Sequence, residues 1–160
     1  MIAFKEWDVV CNAIGAGRQT VILRKGGIHE GREGFAWEHE EFVLFPTRFH
    51  AQQQGVKADD WKKFGRKALK EWENGDEVVI KWKCHVRSSR ILTDLKEVEA
   101  FSEQHVWTQD VVNERFNWEM KKMKGNSITI AEIRVSPLKS EKKLVYHKSL
   151  YGGCRSWLKL

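Results

Sequence analysis

The sequence contains little cysteine and little proline. Its three cysteines, Cys11, Cys84 and Cys154, lie far apart, and none belongs to a C-x-x-C pair. An odd and scattered set of this kind argues against a disulfide framework and against a cysteine-based zinc site. With only two prolines, no low-complexity tract and no internal repeat, the chain shows no sign of a linker. We therefore expect one domain over residues 1–160.

Long apolar runs are also missing. The first residues carry charge at Lys5 and Glu6 and contain no apolar stretch of a secretion signal. No segment approaches the roughly 18 consecutive apolar residues of a membrane span. We therefore expect a cytoplasmic protein that makes no membrane contact.

Tryptophan and positive charge are present in excess. Eight Trp and eight Phe stand against two Tyr, so most of these rings should pack in the core and some should remain for a binding surface. Lys and Arg number 28 against 22 Asp and Glu, which gives a formal net charge of +6. This basic balance favours polyanionic partners, because neutralised phosphates release counterions. It leaves the oligomeric state open.

The apolar spacing predicts helices interleaved with short strands. Helices are expected over Phe4–Ile14, from Asp59 or Asp60 to Trp72, after Thr93 or Asp94, and from Thr108 to Phe116; strands are expected over Thr20–Arg24, Phe42–Phe45, Glu77–Val86, Ser127–Val135 and Leu144–Tyr146. Several strands follow one another without a crossover helix. This order favours an α+β fold with mixed or antiparallel pairing, either a partly closed barrel or an open sheet.

Four segments together resemble a bacterial family of domains of unknown function, the one numbered 1802. The first is Gly17–Ile28, and the second is Glu38 and His39 with Leu44–Thr47 and His50. The third is His105–Thr108 with Arg115 and Phe116, and the fourth is Tyr151–Trp157. The resemblance covers essentially the whole chain. It implies no activity, because none is established for the family.

The stretch from Gly17 to Arg24 also resembles the G-x-K-x-x-E-x-R signature of ASCH domains. Gly17 and Arg24 match, whereas Gln19 stands at the Lys position and Ile22 at the Glu position. The resemblance implies a PUA-like, partly closed mixed β-barrel or sheet with surrounding helices. It also implies RNA binding and, in some members, hydrolysis of modified nucleosides. This chain lacks the Lys and Glu that would serve as acid–base or nucleophilic groups.

Two cations and two glycines end the predicted strand at Arg24 and Lys25. Arginine can bind phosphate through two hydrogen bonds, and the Gly26-Gly27 pair can present amide groups to an anion. Arg18 and Arg48 could converge on the same side and add charge. The alternative is a charged strand end with an ordinary turn.

Carboxylates and imidazoles are concentrated at Glu30, Glu38, His39 and His50. These side chains suit a divalent metal or general-base chemistry, although their spacing matches no known metal motif. They motivate the alternative of a metal-assisted hydrolase or nuclease that uses Glu38, His39 and His50. Ordinary structural histidines are the competing interpretation.

The segment from His105 to Thr108 leads into a predicted helix that carries Arg115. Thr108 can cap that helix while Trp107 packs in the core. Alternatively, His105 and Trp107, or Trp37, stack on a base while Arg115 binds a phosphate.

The main functional hypothesis is a binding module for RNA, DNA or a nucleotide, with no cofactor. Its phosphate-binding and ligand-binding residues would be Arg18, Arg24, Lys25, Arg48, His105, Trp107 and Arg115. A protein-interaction domain with a Trp-rich surface is a further alternative.

Overall fold

The computed structural model describes residues 1–25, 37–65, 70–117 and 126–160. The strands are β1 (Ile2–Trp7), β2 (Val21–Arg24), β3 (Glu41–Thr47), β4 (Glu77–Leu92), β5 (Ile128–Val145) and β6 (Trp157–Lys159). The helices are α1 (Asp8–Gly15), α2 (Ala58–Phe64), α3 (Leu95–Glu99), α4 (Gln109–Asn117) and α5 (Lys148–Tyr151), with short 3₁₀ helices at His50–Gly55 and Ser102–Gln104.

The six strands form one mixed sheet in the order β2-β5-β4-β3-β1-β6. The β1–β3 pair is parallel, and the other neighbouring pairs are antiparallel. Among the described residues, no strand ladder closes this sheet into a barrel. However, Arg24 at the end of β2 donates a hydrogen bond of 2.7 Å to the Lys5 carbonyl oxygen of β1. A contact between the first and fifth strands of the order requires strong curvature, which gives the sheet its partly closed character.

Two hydrophobic clusters pack on opposite faces of the part of the sheet formed by β1 and β3. The larger contains Phe4 and Leu44 and packs against the helices through side chains such as Trp107. The smaller cluster contains Ala3 and Val43, which directly precede Phe4 and Leu44 in their strands. Successive strand side chains point to opposite faces, so this alternation divides β1 and β3 between the two clusters, whereas Val21, Ile22 and Leu23 of β2 all belong to the larger one.

The predicted first helix is wrong in its first half. Phe4 and Trp7 lie in β1, and α1 begins only at Asp8. In β1, the backbone pairs with β3 and with β6. These ladders outweigh the helix-like spacing of Phe4, Trp7, Cys11 and Ile14, because short isolated helices gain little stability from local sequence alone.

Strand β3 continues through Pro46 to Thr47, whereas the sequence predicts an end at Phe45. The ladder of β3 with β4 ends at Val43. Pro46 therefore lies beyond the part of β3 that pairs with β4. A proline is tolerated there because its missing N–H removes no bond to β4.

Strands β4 and β5 form a long antiparallel pair that is interrupted by two irregularities. They lie between Ile80 and Trp82 and between Val86 and Ser88. The bulge predicted at Ile130 and Ala131 is therefore wrong, since these two residues pair in regular register with Arg90 and Ser89. The strands predicted over Ser127–Val135 and Leu144–Tyr146 are parts of β5.

No helix in the described ranges is long and apolar enough to cross a membrane.

Candidate functional site

A pocket of about 570 Å³ opens between the end of β2, the segment after β3 and the first turns of α4. We call it the β2 pocket. Arg24, Lys25 and Arg115 bring three cationic groups to its lining. The sequence predicts these three residues as phosphate ligands, and the structure brings them together. Gly26 and Gly27 lie outside the described residues, as does Glu30.

Arg24 is held by β1. Its Nη2 donates to the Lys5 carbonyl oxygen and lies 3.2 Å from Oε2 of Glu6, whose side chain is fully buried. The Arg24 guanidinium also lies over the Phe4 ring, 4.7 Å from its centroid. These contacts fix the guanidinium at the pocket wall and surround it with one negative charge and one aromatic face.

Arg115 reaches the same pocket from α4. It donates from Nη1 to the Leu23 carbonyl oxygen at 3.1 Å, and its guanidinium lies 4.3 Å from the centroid of Trp107. Burial lowers the pKa of Arg115 to about 10, and the neighbouring charge of Arg24 adds to this effect. The two guanidinium groups therefore repel each other in a partly desolvated place.

Lys25 is a buried cation in the lining of the same pocket. Its ammonium donates to the Phe116 carbonyl oxygen at 2.9 Å, and burial lowers its pKa. Lys25 thus ties the end of β2 to the end of α4 and adds positive charge beside Arg24 and Arg115.

Aromatic and acidic side chains complete the lining. Trp7 and Phe49 are half-buried and meet edge to face, with ring centroids 4.9 Å apart. The exposed Asp110 and Glu114 stand on α4 at the rim. The pocket therefore combines inner cations, half-exposed rings and outer carboxylates.

His105 and Trp107 lie beneath this region and not on its surface. Trp107 is fully buried and His105 is 2% exposed. Burial lowers the pKa of His105 to about 4, and the nearby charges of Lys57, Arg115 and Arg18 act in the same direction. Trp107 supports Arg115 by stacking, and His105 is a neutral core group at pH 7.

Arg18 and Arg48 lie in other contacts. Arg18 makes a bidentate pair with Asp60, at 2.9 Å from Nε and 2.9 Å from Nη2. Arg48 stacks on Trp72 at 3.6 Å and pairs with Asp8 at 3.5 Å, where it lines a smaller pocket of about 200 Å³. Neither residue lines the β2 pocket.

The residues of the alternative catalytic set contact different groups. The His39 ring packs edge-on against Trp157, with centroids 5.1 Å apart. His50 is exposed and lies 3.8 Å from Glu71, and Glu38 is exposed. Within the described ranges, no group of three or more His, Cys, Asp and Glu side chains could hold a metal ion.

The two positions at which the sequence departs from the ASCH signature hold structural residues. Gln19 is buried, donates to the Val21 carbonyl oxygen and accepts from the Val106 amide. Ile22 is a fully buried core residue. Neither side chain is placed for acid–base chemistry.

Sequence reasoning missed Glu6, the two rings and the two rim carboxylates. Glu6 was missed because the sequence predicts a helix where the structure has β1. Only the alternation of a strand indicates that the Glu6 side chain points into the protein. Phe49 lies two residues after the end of β3, and a partly exposed aromatic residue near a strand end is the signal that could have indicated it.

Comparisons with known proteins agree with both resemblances found in the sequence. The model of a family described as "Domain of unknown function (DUF1802)" matches residues 3–160. No curated protein matches the chain. Among solved structures, the ASCH protein of Zymomonas mobilis is similar with a TM-score of 0.54 and 11% identity over 99% of this chain and 86% of that one. A point mutant of that protein is similar with a TM-score of 0.55 and 10% identity, over 99% of this chain and 87% of the mutant chain. At this identity the similarity shows the fold, an α+β fold of the PUA-like type.

Proposed function

The chain belongs to the DUF1802 family, and we propose that it is a binding module for a nucleotide, free or as a unit of RNA or DNA. The observation that carries this proposal is the convergence of Arg24, Lys25 and Arg115 with two half-exposed aromatic rings around one pocket. The ASCH-like fold, which is linked to RNA binding, and the net charge of +6 support the same ligand class.

A phosphate group suits the inner part of the pocket for an electrostatic reason. Arg24 and Arg115 repel each other, and Glu6 supplies one buried negative charge beside Arg24. A phosphate oxyanion beside both guanidinium groups offsets this repulsion and accepts charge-assisted hydrogen bonds.

A nucleobase suits the outer part. Trp7 and Phe49 offer ring faces on which a base can stack, a contact worth about 1–3 kcal/mol per base. Asp110 and Glu114 at the rim can accept hydrogen bonds from the amino groups of a base. A volume of about 570 Å³ lies within the range of small-molecule sites.

Calorimetric titration with AMP, CMP, GMP, UMP and inorganic phosphate tests this proposal. Arg115→Gln should weaken the binding of nucleotides and of phosphate by roughly tenfold or more, because it removes a charge-assisted contact. Lys96→Gln removes one exposed positive charge on α3 and is the matched control. Phe49→Leu should weaken nucleotide binding but leave phosphate binding unchanged.

Two results would overturn the proposal. One is the absence of binding of any of these ligands by the wild-type protein. The other is equal affinity in Arg115→Gln and Lys96→Gln, with both variants shown to be folded by their thermal unfolding. Arg115→Lys keeps the charge but loses the planar fork, so it should fall between the wild type and Arg115→Gln.

A further inference from the structure

We propose a second phosphate-binding surface on the exposed face of β4 and β5, formed by His85, Arg87 and Arg134. We call it the strand-face site. This inference rests on the proposed function and deepens it: with two separate phosphate-binding places, the ligand is a polynucleotide strand and not a free mononucleotide.

The strand-face site is an open depression of about 370 Å³ lined by these three residues. His85 and Arg134 are direct partners in the antiparallel ladder, so their side chains stand side by side on one face. Both are exposed, as is Arg87. Three nitrogen-bearing side chains thus surround one place that solvent can reach.

A bulge places Arg87 in this group. Val86 pairs with Ile133 and Ser88 pairs with Glu132, so Arg87 is the extra residue of β4 opposite two consecutive residues of β5. A bulge redirects the side chain of the extra residue and increases the local twist, and such irregularities are common beside binding sites.

Carboxylates pair with the lysines of β4 beside the site, and one of them also lies near His85. Glu41 lies 2.8 Å from Lys83 and 3.9 Å from His85, and Lys81 lies 3.6 Å from Glu141.

For Arg87 and Arg134, by contrast, the described part of the chain offers no carboxylate within ion-pair distance. This holds even though Glu132 is only two residues from Arg134. Two exposed guanidinium groups that have no carboxylate partner among the described residues suit the oxygens of a phosphodiester, which they can bind in pairs of hydrogen bonds.

The strand-face site and the β2 pocket share no lining residue. A mononucleotide in the β2 pocket therefore leaves the strand-face site empty, whereas a longer strand can bring a phosphate to each. The gain in affinity then depends on chain length and on salt, since each phosphate contact releases counterions.

The test uses the whole chain with fluorescein-labelled single-stranded RNA of twelve nucleotides, and with AMP, CMP, GMP and UMP. Arg87→Gln combined with Arg134→Gln should weaken RNA binding roughly tenfold or more and reduce the slope of log affinity against log salt by about one to two. Mononucleotide binding should stay unchanged. Lys96→Gln combined with Lys139→Gln removes the same charge from exposed positions elsewhere and is the control.

The outcomes separate this inference from the proposed function. RNA binding that is insensitive to Arg87 and Arg134, or that falls equally in the lysine control, overturns the strand-face site and leaves the β2 pocket untouched. RNA binding that needs Arg87 and Arg134, in a protein that binds no mononucleotide and tolerates Arg115→Gln, supports the strand-face site and overturns the proposed pocket. DNA of the same sequence shows whether the surface distinguishes the two polymers.

Discussion

The Arg24 guanidinium lies 3.2 Å from the Glu6 carboxylate, Nη2 to Oε2, and so connects β2 to β1. These strands occupy the first and fifth places of the sheet. The Arg24 side chain joins them through the Glu6 carboxylate and the Lys5 carbonyl oxygen. The same guanidinium lines the β2 pocket. One ion pair therefore stabilises the curvature of the sheet and fixes the position of a ligand-binding cation.

Glu6→Gln should destabilise the protein substantially. The substitution leaves Arg24 without its negative partner in a place where only 17% of its side chain is exposed. Loss of one member of a buried pair costs about 3 kcal/mol of unfolding free energy. Urea unfolding followed by tryptophan fluorescence measures the change.

Glu41→Gln is the matched control for that substitution. Glu41 also pairs with a cation across two strands, but both side chains are exposed and water screens the pair. Its loss should therefore cost much less than the loss of the buried Glu6 partner. Equal costs for the two variants would show that the Glu6 pair contributes no more than an ordinary surface pair.

Much of the fold follows from local signals in the sequence. The alternation from Glu77 to Val86 predicts a half-buried strand, and these residues form the first part of β4. The sequence predicts that a helix begins after Thr93 or Asp94, and the Asp94 side chain accepts a hydrogen bond from the Lys96 amide at the first turn of α3. These features could be predicted because the residues that determine them are neighbours in the chain.

The candidate site could be predicted only in part. Arg24 and Lys25 were identified from their position at a strand end, but their meeting with Arg115 depends on how α4 docks on β2. The start of the chain was misassigned because the pairing of β1 with β3 involves residues about 40 positions apart. Arg18 was assigned to the site, although Asp60 engages it elsewhere, and no local pattern indicates that partner.

Gly15→Ala should destabilise the protein although alanine is the better helix former. Gly15 is the last residue of α1, and a Cβ there would lie 2.1 Å from Cε2 of Trp82. Overpacking of this kind costs about 1–3 kcal/mol, which exceeds the roughly 1 kcal/mol that alanine gains in a helix.

A double-mutant cycle with Trp82→Leu checks that reason by thermal or urea unfolding. The smaller side chain removes the ring that the new Cβ would meet, so Gly15→Ala should become neutral or stabilising in that background. A cost that persists in the Trp82→Leu background would show that the indole is not the cause.

His105 makes the stability depend on pH. It is buried next to Trp107, with Lys57, Arg115 and Arg18 as neighbouring cations, and its pKa is lowered to about 4 from the ordinary 6.5. In the unfolded chain the imidazole binds a proton at pH 5, whereas in the folded chain it does not. Between about pH 6.5 and pH 4 the unfolded state therefore binds more protons, and the stability rises with pH.

The wild-type protein should lose about 3 kcal/mol of unfolding free energy through His105 as the pH falls from 7 to 4, since one pKa unit corresponds to about 1.4 kcal/mol. His105→Gln removes the titrating group, so its loss over the same range should be smaller by that amount. The measurement is urea unfolding at a series of pH values, which also includes the contributions of the carboxylates. His147→Gln, at an exposed position, should follow the wild-type curve. If His105→Gln and His147→Gln show the same dependence on pH, then the buried imidazole does not titrate as its surroundings require.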